Sequence, residues 1–325
     1  MTLVVLGIDA LDPDLVDPDR HPNLTLAAHK PISTIVSAKG EPSTHELWPT
    51  IITGLEPEEH GLLLDDGVTW ENPLIAGGSR IGRYILPDGV RTRVGAWLLN
   101  ATKEDAFRTP ATYYQANGIE TVFDGIPAVA IGIPNYVTAG DADDREHQLR
   151  RSLGDLFERD PDETSGHRSS DPDQFYERCL EMAMIRIARV RRALRSRRYE
   201  LVFGYTSGLD LVGHVAYDRP GMVEAAYGEF DEFVGELRHD LGPRDELLLV
   251  SDHGLQNGVH TDAAMVAATE PDLLDHVDGV TSVRDGIEYA LRRGDHTPSG
   301  RTFDSVPDPD RHDRVAEQLE DLGYL

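Results

Sequence analysis

Cysteine is almost absent from this chain of 325 residues, which has a single copy at Cys179. One cysteine excludes an intrachain disulfide framework and any thiolate-rich zinc site. Long apolar runs are also missing, since no stretch approaches the roughly 18 apolar residues that a membrane-spanning helix requires. The apolar segment Leu3–Ile8 is too short for the core of a signal peptide and follows no basic residue. We therefore expect a soluble, cytoplasmic protein without membrane association.

Lysine is nearly as scarce, and occurs only at Lys30, Lys39 and Lys103. Because 58 acidic residues face 31 basic ones, the formal net charge is −27. Molar salt screens such self-repulsion by shortening the Debye length to about 3 Å, so we predict a halophilic source, in particular a haloarchaeal one. The excess of acid argues against a nucleic-acid-binding surface, which requires clustered lysine and arginine. A phosphorylated substrate would need bound cations to approach this protein.

Apolar segments alternate with helical patterns along the chain, which is typical of βαβ units around a mostly parallel sheet. Residues 138–170 are polar with little periodicity, as in a loop or a cap. We predict one domain over residues 1–325, with a cap or insert within about 70–200. The predicted strands are Leu3–Ile8, Ala128–Ile133, Leu201–Tyr205, Leu247–Val250 and Ala263–Ala268. The predicted helices are Trp48–Leu55, Thr109–Gly118, a long one from Pro172, Gly221–Leu241 and Ser282–Leu291.

Polar clusters follow predicted strands or open a helix at several points. Asp9 ends the first strand, and Thr44 opens a helix, where backbone N–H groups and the helix dipole favour an anion. Because the carboxyl ends of parallel strands converge on one crevice, we expect the clusters to meet there. The other clusters are Asp210-Leu211-Val212-Gly213-His214 and Asp252-His253-Gly254, with His260 seven residues beyond His253.

Together these clusters offer carboxylates, imidazoles and one hydroxyl, but no thiolate. Such ligation suits Zn²⁺, with Mn²⁺ as the alternative. The seven side chains are enough for two ions, each with room for a substrate oxygen. Two ions about 4 Å apart can hold the attacking and leaving oxygens of an in-line displacement at phosphorus. Thr44 is the candidate nucleophile, because a nearby metal ion lowers the pKa of a hydroxyl.

The order and spacing of these residues resemble the alkaline phosphatase superfamily, and within it the type I phosphodiesterase and nucleotide pyrophosphatase-like members. Thr44 precedes Thr53-Gly54 by the spacing of those enzymes, and the segment from Pro57 to Gly61 matches their Pro-x-x-His-Gly. The resemblance covers about residues 1–65 and 195–290. It implies an α/β fold of the alkaline phosphatase type, a three-layer sandwich with a mostly parallel central sheet and a small inserted cap.

The resemblance also implies roles for the site residues. The enzyme would cleave phosphodiester or pyrophosphate bonds of a small substrate such as a nucleotide, through a phospho-threonine at Thr44 that water then hydrolyses. Two divalent ions would be bound, Zn²⁺ by preference. One ion would be held by Asp9, Thr44, Asp252 and His253, and the other by Asp210, His214 and His260. His45 and His60 match no ligand position, so we expect them to be structural or to support the ligands.

Several alternatives stay open from the sequence. His296, in a His-x-Pro-x-Gly pattern, could replace His260 as the last ligand, although His260 fits the following strand and helix better. Asp65 and Asp66 occupy the region where the resembling enzymes carry an asparagine that binds phosphate. The site could therefore serve a phosphomonoesterase, or belong to an inactive metal- or nucleotide-binding homologue. The sequence leaves the oligomeric state undetermined.

Overall fold

The computed structural model describes residues 1–37, 40–63, 108–138, 149, 153, 156–158 and 168–294. About half of the region in which we expect the cap, including all of 70–107, therefore lies outside the described residues. The same holds for Asp65, Asp66 and His296. The prediction of a single domain with an inserted cap stays a prediction.

Ten strands occur in the described part of the chain, and six of them form the central sheet. The predicted strands are all present, two with the predicted bounds and the others within two residues of them. The strands are β1 (Leu3–Ile8), β2 (Ala28–Ser33), β3 (Ala128–Ile131), β4 (Phe157–Glu158), β5 (Arg168–Ser169), β6 (Leu201–Thr206), β7 (Glu246–Val250), β8 (Gly254–Gln256), β9 (Val259–Thr261) and β10 (Ala263–Ala268).

The central sheet has the strand order β2-β10-β7-β1-β6-β3. Strand β1 pairs in parallel with β6 and β7, and β3 pairs in parallel with β6. Strand β10 runs antiparallel to both β7 and β2. The prediction of a mostly parallel sheet is therefore confirmed. Strand β2 was not predicted, because Lys30 and Pro31 break its apolar pattern; both are tolerated on an edge strand, where one side needs no ladder partner.

Helices flank the sheet on both faces. They are α1 (Pro22–Thr25), α2 (Thr44–Thr53), α3 (Pro57–His60), α4 (Thr112–Ala116), α5 (Pro172–Ser196), α6 (Gly208–Val215), α7 (Pro220–His239) and α8 (Val283–Arg293), with 3₁₀ turns at Pro271–His276 and Val280–Ser282. Helix α2 begins four residues before the predicted Trp48 and ends where Gly54 adopts a φ of 72°, a conformation that glycine tolerates without strain. None of the described helices has both the length and the apolar character needed to cross a membrane.

The central strand β1 is buried on both of its faces, as expected for a strand inside a parallel sheet. Successive side chains point to opposite faces. Val4 and Leu6 pack into the core formed with α5, α6 and α7, whereas Leu3 and Val5 pack into the core formed with α2 and α8. Two apolar cores separated by one sheet make a three-layer α/β sandwich, which confirms the predicted fold class.

Candidate active site

The seven residues selected from the sequence all lie at the carboxyl edge of the parallel strands. Asp9 follows β1, and Thr44 is the first residue of α2. The others come from the segments after β6 and β7: Asp210 and His214 in α6, Asp252 and His253 directly after β7, and His260 in β9. The parallel strands β1, β6 and β7 run in the same direction, so their connections open into one crevice.

Asp9, Asp252 and His253 form the first group, and each offers one ligand atom within 4.8 Å of the others. His253 Nε2 lies 3.4 Å from Asp9 Oδ1 and 3.4 Å from Asp252 Oδ2. All three residues are buried, with at most 1 % of their surface exposed. The hydroxyl of Thr44 lies 3.1 Å from His253 Nε2 and 3.3 Å from Asp9 Oδ1, so the candidate nucleophile adjoins this group.

Asp210, His214 and His260 form the second group. Asp210 Oδ1 lies 3.3 Å from His214 Nε2 and 3.4 Å from His260 Nε2, and the two Nε2 atoms are 2.9 Å apart. The rings of His253 and His260 are stacked with centroids 4.0 Å apart. The two groups are therefore neighbours in one cluster.

Each of the three histidines directs its Nδ1 atom at a backbone carbonyl. The acceptors are Gly258 O for His214 at 3.2 Å, Gly254 O for His253 at 3.1 Å and Pro42 O for His260 at 3.1 Å. A carbonyl oxygen can only accept, so Nδ1 must carry the proton and Nε2 of the neutral ring offers a lone pair. Lone pairs that converge in this way, with the other ring nitrogen held by a carbonyl, are the arrangement found in metal-binding histidines.

The carboxylates leave buried oxygens without hydrogen bonds. Within the described part of the chain, neither Oδ atom of Asp252 forms a hydrogen bond. The same is true of Oδ1 of Asp210. A buried carboxylate oxygen without a partner is costly, and most buried polar atoms have one. A divalent cation would satisfy these oxygens together with the histidine Nε2 atoms. The donor set of oxygen and nitrogen without thiolate fits Zn²⁺ or Mn²⁺.

The pKa values of the cluster's own side chains reflect the same crowding. Burial and the charge of Asp210 raise the pKa of Asp9 to about 7, while burial and Asp9 raise the pKa of Asp252 well above its ordinary value. Burial opposes protonation of His260, but the adjacent carboxylate of Asp210, whose Oδ1 lies 3.4 Å from His260 Nε2, outweighs it and raises the pKa of His260 to about 9. Protons therefore occupy the cluster when no metal does, and metal binding would displace them.

Comparison with protein families identifies the family of the chain. The family model of type I phosphodiesterases and nucleotide pyrophosphatases matches residues 3–322. The chain belongs to this family. It is therefore a metal-dependent hydrolase of the phosphodiesterase and pyrophosphatase type, which confirms the family that the sequence motifs indicate. A search of curated proteins finds no match.

Several solved structures resemble the chain at low sequence identity. The murine ectonucleotide pyrophosphatase/phosphodiesterase 5 is 17 % identical over 78 % of this chain and 57 % of its own length, with a TM-score of 0.40. Phosphonoacetate hydrolase from Sinorhizobium meliloti is 16 % identical over 78 % of this chain and 56 % of its own, with a TM-score of 0.39. Alkaline phosphatase from the Antarctic bacterium TAB5 is 11 % identical over 90 % and 97 %, with a TM-score of 0.39. The chain spans little more than half the length of the first two, and the family assignment rests on the sequence model.

Two further residues of this type I phosphodiesterase family member support the site, and the sequence pattern marks neither of them. The hydroxyl of Tyr205 donates a hydrogen bond to Asp9 Oδ2, which leaves Oδ1 to face Thr44. The Tyr205 ring packs edge-on against Trp48 of α2, with centroids 4.9 Å apart. Thr34 Oγ1 donates to Asp252 O at 2.6 Å. No motif marks either residue, because a tyrosine in a buried strand and a threonine after an edge strand both have structural explanations.

The helix that carries Thr44 is held against the sheet by a close approach at Gly7. A Cβ atom at Gly7 would lie 2.3 Å from the Trp48 ring, so only glycine leaves room for that indole. His60 stabilises the same helix from its other end: its Nε2 atom lies 3.1 Å from Thr50 Oγ1, and its Nδ1 atom accepts from the Leu62 N–H at 3.2 Å. His60 belongs to neither metal-ligand group, which agrees with the structural role expected for it.

Proposed function

We propose that the chain is a two-metal phosphohydrolase that cleaves phosphodiester or pyrophosphate bonds through a phospho-threonine at Thr44. The single observation that carries the proposal is the position of the Thr44 hydroxyl, 3.1 Å from His253 Nε2 and 3.3 Å from Asp9 Oδ1. That hydroxyl is the alcohol nucleophile next to two adjoining groups of three ligand residues. Each group supplies carboxylate and imidazole, so each can hold one divalent ion.

The groups suggest the division of ligands. Asp9, Asp252 and His253, together with Thr44, would hold one ion, and Asp210, His214 and His260 the other. When bound, two such ions would lower the pKa of the Thr44 hydroxyl and offset the negative charge of the phosphate. Zn²⁺ is the preferred ion, and Mn²⁺ the alternative.

Residues of the chain itself aim the nucleophile. Thr44 is the first residue of α2, whose N-terminal dipole favours the negative charge of a phosphate group. Trp48, one helical turn further, fixes the helix against β1 and β6 by its contacts with Gly7 and Tyr205. Thr44 Oγ is thereby held at the crevice, and little conformational entropy remains to be lost when substrate binds.

The reaction would run in two displacements at phosphorus. In the first, Thr44 Oγ1 releases its proton to solvent and forms a bond to phosphorus while the bond to the leaving oxygen breaks, and the leaving alkoxide or phosphate takes up a proton from solvent. In the second, a water oxygen bonds to phosphorus and releases a proton to solvent, the bond to Thr44 Oγ1 breaks, and the threonine oxygen takes up a proton. The substrate would be a small phosphorylated molecule such as a nucleotide, since the net charge of −27 disfavours a polyanionic partner.

Trapping of the phospho-threonine tests this mechanism. The protein is mixed with bis-p-nitrophenyl phosphate and Zn²⁺ or Mn²⁺ at high salt, quenched in acid and analysed by peptide mass spectrometry. We expect phosphate on Thr44, and no turnover by Thr44→Ala. Ser43→Ala is the matched control, because the Ser43 side chain caps no helix N–H and lies directly beside the nucleophile. Phosphate on Ser43, or more than a few per cent of activity in Thr44→Ala, would refute the assignment.

Comparison of two substrates separates the diesterase from the monoesterase. A diesterase turns over bis-p-nitrophenyl phosphate faster than p-nitrophenyl phosphate, and a monoesterase shows the reverse preference. Absence of turnover of both substrates, with two ions bound, would instead identify an inactive homologue.

A further inference from the structure

Asp12 is a buried carboxylate that the proposed reaction does not use. It lies three residues after Asp9 in the loop that follows β1, and its side chain is fully shielded from solvent. Burial of a carboxylate is costly unless its oxygens accept hydrogen bonds. The backbone N–H of Asp14 donates to Oδ1 at 2.9 Å. The other donors come from the segment that carries two of the proposed metal-binding histidines.

That segment is the hairpin formed by β8 and β9. Gln256 Nε2 lies 3.2 Å from both carboxylate oxygens of Asp12, and Thr261 Oγ1 donates to Asp12 Oδ2 at 3.1 Å. Gly254 pairs with Thr261 at the open end of the hairpin. A Cβ atom at Gly254 would lie 2.4 Å from Asp12 Oδ2, so the glycine after His253 is required for the carboxylate to approach this closely.

The hairpin determines where all three histidines lie. His253 directly precedes β8, and His260 lies in β9 opposite Leu255. At the turn, Asn257 and Gly258 both have positive φ values, of 53° and 78°, as a tight type I′ turn requires. The carbonyl of Gly258 accepts from His214 Nδ1 at 3.2 Å. The open end of the hairpin thus carries ligands of both groups, and its turn orients a third histidine.

Asp12 is itself held in place. Its backbone N–H donates to the hydroxyl of Tyr227 in α7 at 3.0 Å. Asp12 therefore links the loop after β1, which holds Asp9, with the hairpin and with a helix of the core.

We propose that Asp12 is a positioning residue for the metal centre: its carboxylate fixes the β8–β9 hairpin so that the Nε2 atoms of His253, His260 and His214 converge on both ions. This inference rests on the proposed function, because it takes the two ligand groups as the metal sites. Partners that orient metal ligands typically contribute a factor of about 10 to 100 in metal affinity. Because the hairpin serves both groups, loss of Asp12 weakens the binding of both ions.

Titration of the metal-free protein with Zn²⁺ tests the proposal without recourse to activity. In Asp12→Ala we expect both affinities to fall at least about 10-fold. Asp231→Ala is the matched control, since Asp231 is also a buried carboxylate with three hydrogen bonds, from the N–H groups of Asn23 and Leu24 and from Asn23 Nδ2. Its partners lie in α1 and not in the β8–β9 hairpin. Both variants should lose stability towards urea, but Asp231→Ala should keep wild-type Zn²⁺ affinity.

Thr261→Val covers the case in which Asp12→Ala does not fold. It removes one donor to Asp12 at nearly constant volume, and we expect weaker Zn²⁺ binding with the fold retained. Activity offers a second readout: in both Asp12→Ala and Thr261→Val it should recover as Zn²⁺ is raised, whereas Thr44→Ala should stay inactive at every concentration. Wild-type affinity for both ions in a folded Asp12→Ala, or in Thr261→Val, overturns the positioning role alone. Wild-type protein that binds no Zn²⁺ overturns the proposed metal centre as well.

Discussion

Tyr205→Phe isolates one hydrogen bond at the metal centre. The variant removes only the hydroxyl that donates to Asp9 Oδ2, and the ring that packs on Trp48 remains. A hydrogen bond to a charged group contributes about 1.5–3 kcal/mol, and one between neutral groups about 0.5–1.5 kcal/mol. Loss of the bond leaves a buried Asp9 oxygen without its donor and frees the carboxylate to rotate. We therefore expect the affinity for one of the two ions to fall about 10-fold to 100-fold.

A matched variant separates this effect from a general loss of stability. Tyr114 is another buried tyrosine, and its hydroxyl donates to the backbone carbonyl of Asn135 at 2.7 Å rather than to a proposed ligand. Tyr114→Phe should lower the free energy of unfolding by about 0.5–1.5 kcal/mol and leave Zn²⁺ binding unchanged. Calorimetric titration of both metal-free variants with Zn²⁺, at one pH and salt concentration, measures the difference. Equal Zn²⁺ affinities in Tyr205→Phe and wild type would refute the role of Tyr205 in orienting Asp9.

Three further predictions concern the last ligand, acid stability and salt. His260→Ala should lose one of two bound ions and most activity, whereas His296→Ala should change little. Metal analysis of the two variants shows which histidine is the ligand, and the reverse result would transfer the ligand role to His296. Burial lowers the pKa of His60 to about 4, below its ordinary value of 6.5, so the unfolded chain takes up its proton first as the pH falls. His60 should therefore destabilise the fold progressively below pH 6.5, by about 2 kcal/mol at pH 5. Urea unfolding at neutral and acidic pH should show this loss of stability in wild type and a smaller loss in His60→Gln. Because the chain carries a net charge of −27, its melting temperature should rise between about 0.1 M and about 2 M KCl as self-repulsion is screened, and a melting temperature independent of KCl would contradict the predicted halophilic adaptation.

The order of strands and helices could be predicted from local sequence. A short apolar run such as Leu3–Ile8 or Ala263–Ala268 is typical of a strand buried on both faces of an α/β sheet. The bounds of the strand follow from where the apolar residues stop. Strand β2 could not be found in this way, since its edge position depends on pairing with β10, more than two hundred residues later. Pairing of that kind is absent from any local window of the sequence.

The candidate site was likewise predictable from local sequence only in part. Asp9, Thr44 and Asp252 could be selected because strand ends and helix starts converge at one edge of a parallel sheet. Only the tertiary structure decided which partners surround them. Tyr205 is 196 residues from Asp9, and Thr261 is 249 residues from Asp12, yet each pair shares a hydrogen bond. The sequence by itself determined which chemical groups follow the strands, because residue type and the order of elements along the chain are local properties. The orientation of each carboxylate and imidazole depends on hydrogen bonds between distant segments, and those exist only once the chain has folded.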